Sequence, residues 1–251
     1  METELTQSNI EKAFEWLYQR AINGIPGLDS APEMAQKYLA KGGSLNDSVN
    51  DLIKWQIVKA GTSGFLTGLG GLLTLPITVP ANFASVIYVH VTMIAAIAYM
   101  GGYDLKDDKV KTLIYACLVG NSAKDILKDS GIIIGRKLTE SAIKNISKQT
   151  LGAINKKVGF KLVTKFSEKG TIVLGRAVPF VGGVIGASID GIATKKVGNI
   201  ARETFIVSPL NLGVASYSDI HDEPKGLLPS PSKNTHLTNG KDTKEEEKED
   251  S

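Results

Sequence analysis

A stretch of the chain without any charged side chain runs from Ala60 to Tyr103. Its first half is rich in glycine, and Pro76 and Pro80 interrupt it near the middle. Proline lacks the backbone N–H group that a helix interior needs, so each proline ends or breaks a helix. The pattern predicts two apolar helices that are joined at the prolines and form a hairpin over residues 60–103.

The second arm of this hairpin, residues 81–100, raises the question of a membrane span. A spanning helix needs about 20 apolar residues, and only the second arm reaches that length. Polar side chains make a full span unfavourable, so we expect the hairpin to be half-inserted into a membrane or buried in protein. Four of them lie in the second arm: Asn82, Ser85, His90 and Thr92.

Helical patterns also dominate the rest of the chain up to residue 207. The sequence "SAPE" at Ser30 to Glu33 is a helix start, with Ser as the cap, Pro in the first turn and Glu at the third helical position. The segment 132–167 is helical in pattern, and we expect Gly152 and Gly159 to mark breaks or close contacts within it. No alternating strand pattern of useful length is present. The sequence therefore predicts an all-α helical bundle with two glycine-rich apolar helical hairpins.

Three regions follow from the pattern of composition. Residues 1–43 form N-terminal helices, and residues 44–207 form the main helical domain. Residues 208–251 are rich in Pro, Ser and charge and end in "KDTKEEEKEDS". Such a composition cannot bury enough apolar surface to offset its ordering entropy, so we predict a disordered acidic C-terminal tail.

Charge is strongly segregated along the chain. Residues 130–207 carry 13 Lys and Arg against four Asp and Glu, whereas the tail has five against nine. A basic block beside apolar segments predicts contact with anionic lipid, and nucleic acid is disfavoured because the block lacks interleaved aromatic residues and any recognised DNA-binding motif. The candidate lipid contacts are Lys144, Lys148, Lys156, Lys157, Lys161 and Lys165.

Small residues recur at a spacing of four in both apolar regions. This spacing places them on one stripe of a helix, where two backbones approach closely, in a membrane or in a soluble core. The same pairing between two copies of the chain would produce a homo-oligomer. The predicted helix-packing positions are Gly64, Gly68, Gly182, Gly183, Gly186, Ala187 and Gly191.

Catalytic and metal-binding motifs are missing from the sequence. The one cysteine, Cys117, lies on an apolar helix face and is predicted to fill the core, and no cofactor is expected. The candidate ligand-binding residues are His90 in the apolar arm, Asp190 among glycines, and Arg176 upstream of it. An enzyme that uses Asp190 with His90 is the alternative to a non-enzymatic protein, and it requires those two side chains to converge.

Two motifs far apart in the chain carry a resemblance to a known family. The run "GLGGLLTLPITVP" leads through an apolar helix to "GGYD", and "RAVPFVGGVIGASIDGIATKKVGNIARETF" closes the helical region. Together they resemble the EcsC protein family of bacteria over roughly residues 45–205. The matching positions are Gly68, Gly71, Pro76, Pro80, Gly102, Tyr103, Asp104, Pro179, Gly183, Ala187, Val197, Gly198 and Ala201.

The resemblance implies a helical, membrane-linked protein inside a bacterial cell, encoded in the founding case beside an ABC transporter. It supplies no catalytic residues. We therefore expect a membrane-associated helical protein at the cytoplasmic face, peripheral or partly inserted, that modulates or scaffolds a membrane partner such as a transporter. The alternatives are a soluble protein with a hydrolase-like or ligand-binding pocket between the apolar hairpins, and a soluble adaptor whose acidic tail binds partners.

Overall fold

The chain is mostly helical over the residues that its structure, a computed structural model, describes, namely 7–60, 81–134, 140–174 and 182–206. Over these ranges the predicted all-α fold is confirmed, with nine helices and no strand. The first arm of the predicted hairpin and the predicted acidic tail lie outside the described residues. The helices are α1 (Gln7–Asn23), α2 (Ala31–Leu39), α3 (Leu45–Ala60), α4 (Ala81–Met100), α5 (Asp108–Cys117), α6 (Ser122–Asp129), α7 (Glu140–Lys144), α8 (Lys148–Leu174) and α9 (Gly182–Phe205).

Helix α4 is the central helix of the bundle. It packs against α1, α2, α3, α5 and α9, and from Ala84 to Met100 all its side chains are buried except Val86 and Tyr99. A helix that is enclosed on every side carries apolar residues on every side. This explains why the apolar residues of this arm are not confined to one face. The described part of the arm is therefore buried in protein, one of the two outcomes that the sequence left open.

No helix among the described segments combines the length and the apolar character that crossing a membrane requires.

Helices α3 and α9 lie side by side in opposite directions. Near the start of α3, the Asn50 side-chain oxygen accepts a hydrogen bond from the Arg202 guanidinium near the end of α9. Near the end of α3, Ile57 lies at Gly191, in the first half of α9. The two contacts run in opposite order along the two helices, so the C-terminal end of α3 lies beside the N-terminal half of α9.

Helices α4 and α9 run in the same direction. His90 contacts Thr194 in the middle of both helices. At their C-terminal ends, a Cβ atom at Gly101 would lie only 2.6 Å from the carbonyl oxygen of Phe205. The C-terminal end of α3 and the N-terminal ends of α4 and α9 therefore share one end of the bundle, which we call the α3 exit end.

The predicted start of α2 is confirmed in detail. The Ser30 hydroxyl accepts a hydrogen bond from the Glu33 backbone N–H, and the Ser30 backbone N–H donates to the Glu33 carboxylate at 2.8 Å. These two bonds satisfy backbone groups that a helix terminus otherwise leaves without partners. The Glu33 pKa is held below its usual range by the hydrogen bonds from the Ser30 backbone and hydroxyl.

At Gly152 and Gly159 the sequence predicted breaks or close contacts; the breaks are wrong at both positions, whereas Gly159 is buried. Helix α8 continues through Gly152 and Gly159, and Gly152 is exposed with no atom close to its missing Cβ position. The interruption lies instead just before α8, where the Ser147 hydroxyl accepts a hydrogen bond from the Thr150 N–H and caps the helix. One glycine costs a helix only about 1 kcal/mol, and burial of the apolar face of α8 outweighs that cost.

Candidate functional site

A polar contact lies inside the interface between α4 and α9. Nε2 of His90 is 3.0 Å from Oγ1 of Thr194, and both side chains are buried. A buried imidazole that shares a hydrogen bond with a buried hydroxyl is satisfied within the core. This geometry favours a structural role for His90, joining two helices that are far apart in the chain.

The other two candidate ligand-binding residues are not brought to His90 by any described contact. Asp190 belongs to α9, one turn before Thr194, and its side chain lies outside the described residues. Arg176 also lies outside them. Within the described ranges, no three His, Cys, Asp or Glu side chains gather into a group that could hold a metal ion.

Cys117 is fully buried at the C-terminal end of α5. Its Sγ atom lies 3.6 Å from Oγ1 of Thr204 on α9. Burial raises the pKa of the Cys117 thiol to about 12, so the reactive thiolate is suppressed at neutral pH. The prediction that Cys117 fills the core is confirmed.

The N-terminal part of α8 is amphipathic, with one buried face and one basic face. Ile154, Val158 and Leu162 are buried and belong to the core. The opposite face exposes an aromatic ring: Phe160 is 62% exposed and follows Lys156 by one helical turn. We call this exposed surface the α8 basic face; it comprises Lys148, Gly152, Lys156 and Phe160, with exposed Lys161 at its edge, seven residues after Ile154.

The candidate lipid-contact lysines differ in their surroundings. Lys148, Lys156 and Lys161 are exposed on the α8 basic face. Lys157 instead forms an ion pair with Asp129 of α6, with 2.8 Å between Nζ and Oδ2, and this contact lowers the pKa of the Asp129 carboxyl. Exposed Lys144 lies in α7, and the side chain of Lys165 lies outside the described residues.

Sequence reasoning missed Phe160 as a surface residue, and the statement that the basic block lacks interleaved aromatic residues is wrong at this position. Its spacing from Lys156 was visible, but a lone aromatic residue in a helix is usually part of a core. The signal that could have found it is the phase of the helix. Phe160 lies four residues after Lys156 and six after Ile154, so it belongs to the polar side of the helical wheel.

Glycine brings α9 close to α3. A Cβ atom at Gly191 would make ordinary contact with Ile57, at 3.5 Å from Cγ2. A Cβ atom at Gly198 would lie 2.9 Å from Cγ1 of Ile53, which is closer than carbon atoms normally approach. Among the described glycines of α9, Gly198 is therefore the one at which α9 lies closest to α3.

The other predicted packing positions are not described by such contacts. Gly64 and Gly68 lie outside the described residues, and the contacts of the positions at the start of α9 are likewise undescribed. Those positions in α9 are Gly182, Gly183, Gly186 and Ala187.

The model of the EcsC protein family matches residues 3–207. The chain belongs to the EcsC protein family. The EcsC match begins before the region in which the resemblance was seen, so it includes α1 and α2 as well as the central bundle. No curated protein matches the chain, and no solved structure matches it.

Two sequence motifs that carried the EcsC resemblance meet in the fold. Gly102, in the turn that follows α4, has a φ angle of 84°, a left-handed conformation that glycine adopts without strain. The turn directs the Tyr103 ring onto Phe205 at the end of α9, with 5.2 Å between ring centroids in an edge-to-face arrangement. The two motifs are about 100 residues apart in the chain. Their side chains come into contact because α4 and α9 run in the same direction and end side by side.

Proposed function

We propose that this EcsC protein is a non-enzymatic helical protein that binds the anionic surface of the membrane, where it modulates or scaffolds a membrane partner such as a transporter. The observation that carries the proposal is the α8 basic face. It presents an exposed aromatic ring among exposed lysines on a helix whose other side is anchored in the core.

The combination of residues on this face suits a lipid surface. Lysine ammonium groups are attracted to anionic headgroups, while an aromatic side chain inserts at the boundary between headgroups and acyl chains. Each lysine near such a surface contributes about 1 kcal/mol. Lys148, Lys156 and Lys161 together then contribute about 3 kcal/mol, or roughly a hundredfold in affinity.

The test is the binding of the full chain to vesicles that contain phosphatidylglycerol. Replacement of Lys148, Lys156 and Lys161 by Gln should weaken co-sedimentation by roughly a hundredfold at low salt. The weakening should shrink as salt rises, because screening shortens the range of the attraction. Phe160→Ser should reduce binding at every salt concentration, because insertion of the ring is not electrostatic.

A charge-matched control separates this face from net charge. Replacement of Lys12, Lys41 and Lys106, which are exposed on other parts of the chain, removes the same three charges. This control should retain most of the binding. Equal losses in the two triple variants would show that net charge alone drives binding, and the proposed role of the α8 basic face would then be wrong.

A further inference from the structure

We propose that the α3 exit end of the bundle is the part that enters the interface of the bilayer, with Trp55, Val58 and Ile192 as the inserted side chains. This inference deepens the proposed function and rests on it. It names a second contact surface, separate from the α8 basic face, and it assigns the orientation of the bundle on the membrane.

Two uncharged parts of the sequence are attached to helix ends at this end of the bundle. Residues 61–80 connect the C-terminal end of α3 to the N-terminal end of α4 and carry no charged side chain. Helix α9 also starts at this end, and the sequence from 177 to 189 is uncharged. Because α3 is antiparallel to both α4 and α9, the helix ends to which these uncharged sequences are attached lie at the same end of the bundle.

Exposed apolar side chains occur at the α3 exit end on the two helices that lie side by side there. Trp55 and Val58, in the last two turns of α3, are 49% and 51% exposed. Ile192 of α9, next to the contact between Gly191 and Ile57, is 56% exposed. These side chains leave apolar surface in water, and a lipid interface would remove part of that surface from water.

The polar neighbours of these side chains also match the chemistry of an interface. The Lys59 ammonium group lies 5.6 Å from the centre of the Trp55 ring. Tryptophan is enriched at the level of the headgroups, and a lysine beside it extends its charged end to the phosphates while its alkyl part covers apolar surface. The occupant that fits is therefore an anionic bilayer surface.

The opposite end of the bundle carries acidic residues. There α4 ends and the chain passes to α5 through Asp104, Asp107 and Asp108. Asp47, which caps the start of α3 with Ser44, is exposed at the same end. Lys106, Lys109 and Lys111 alternate with these aspartates, and Asp108 pairs with Lys111. This end is therefore charged with both signs, and burying charged groups away from water is costly. The sequences attached to the α3 exit end are uncharged, so that end is the one that fits the lipid interface.

Tryptophan fluorescence of the full chain tests this orientation. The chain has two tryptophans, Trp16 and Trp55, and Trp16→Phe leaves Trp55 as the single reporter. When phosphatidylglycerol vesicles that contain brominated phosphatidylcholine are added, the Trp55 emission should shift to the blue and be quenched. The companion variant Trp55→Phe reports on Trp16, whose emission should change little.

Two exposed aliphatic residues at opposite ends of α3 provide a matched pair. Val58→Gln should weaken vesicle binding by roughly threefold to tenfold, because less apolar surface leaves water. Leu45→Gln, at the other end of the helix and 39% exposed, should change binding by less than about twofold. Neither substitution alters the net charge, so electrostatic attraction stays the same.

The outcomes separate this inference from the proposed function. Co-sedimentation without quenching of Trp55, and with equal binding of the Val58 and Leu45 variants, would overturn the orientation and leave the lipid-binding function standing. Failure of the protein to sediment with vesicles at all would overturn both. A blue shift of Trp55 that depends on protein concentration before lipid is added would assign this end to a second copy of the chain and overturn the inference.

Discussion

A pair of glycine substitutions tests whether α9 and α3 are as close as the structure places them. Gly198→Ala puts a Cβ atom 2.9 Å from Cγ1 and 3.0 Å from Cγ2 of Ile53, which is itself buried. Neither atom is the flexible end of the side chain, so the helices must move apart. Overpacking of this kind costs about 1–3 kcal/mol, and alanine returns about 1 kcal/mol of helix propensity. We expect a net loss of about 1 kcal/mol in the free energy of unfolding.

Gly152→Ala is the control for helix propensity. Gly152 lies inside α8, is exposed, and has open space at the Cβ position. Alanine at this position should raise the free energy of unfolding by about 0.5–1 kcal/mol. The two substitutions are chemically identical, so their difference isolates the contact with Ile53.

The measurement is urea denaturation followed by far-ultraviolet circular dichroism. Gly198→Ala should lower the unfolding midpoint and Gly152→Ala should raise it, without a change in slope. A double-mutant cycle adds a direct check: Ile53→Ala alone should cost about 2–5 kcal/mol, and about 1 kcal/mol less in the Gly198→Ala background. Equal stabilisation by both glycine substitutions would refute the close approach of α9 to α3.

Two further predictions concern Cys117 and the cap of α2. A thiol reagent should label buried Cys117 in the native protein far more slowly than in urea, and rapid native labelling would contradict its burial. Ser30→Ala should lower the free energy of unfolding by about 1 kcal/mol in the same assay, and an unchanged midpoint would argue against the cap. The folded pKa values of Glu33, Asp47 and Asp129 are lowered. The stabilisation of the folded state by these three carboxylates is therefore present above about pH 4.5 and is lost as the pH falls through their folded pKa values. An unfolding midpoint that does not change with pH would contradict this expectation.

The sequence was sufficient where local chemistry decides the outcome. The cap of α2 follows from Ser30 and Glu33, whose side chains reach only the backbone groups of the same turn. The all-α class follows from the helical period of the apolar residues, and the buried position of Cys117 follows from its place on an apolar face. In each case the interacting groups lie within a few residues of each other, or the helical period of the apolar residues determines which face of the helix is buried.

The different surroundings of neighbouring lysines could not be predicted from the sequence. Lys156 and Lys157 are adjacent and identical in type, yet only Lys157 meets Asp129, which is 28 residues away. The expected breaks at Gly152 and Gly159 were wrong for a similar reason. A glycine permits a break, but the cap at Ser147 and the burial of the opposite face decided where α8 begins and continues.

The sequence by itself determined the helical class, the buried face of each helix whose pattern was clear, and the family. These properties depend on the spacing of residue types along one chain. Whether the apolar arm 81–100 meets lipid or protein was decided only when α1, α2, α3, α5 and α9 surrounded α4. The same assembly brought Gly191 of α9 against Ile57, near the end of α3. A hydrophobic pattern specifies that one face of a helix must be removed from water. The tertiary packing determines which other part of the protein covers that face.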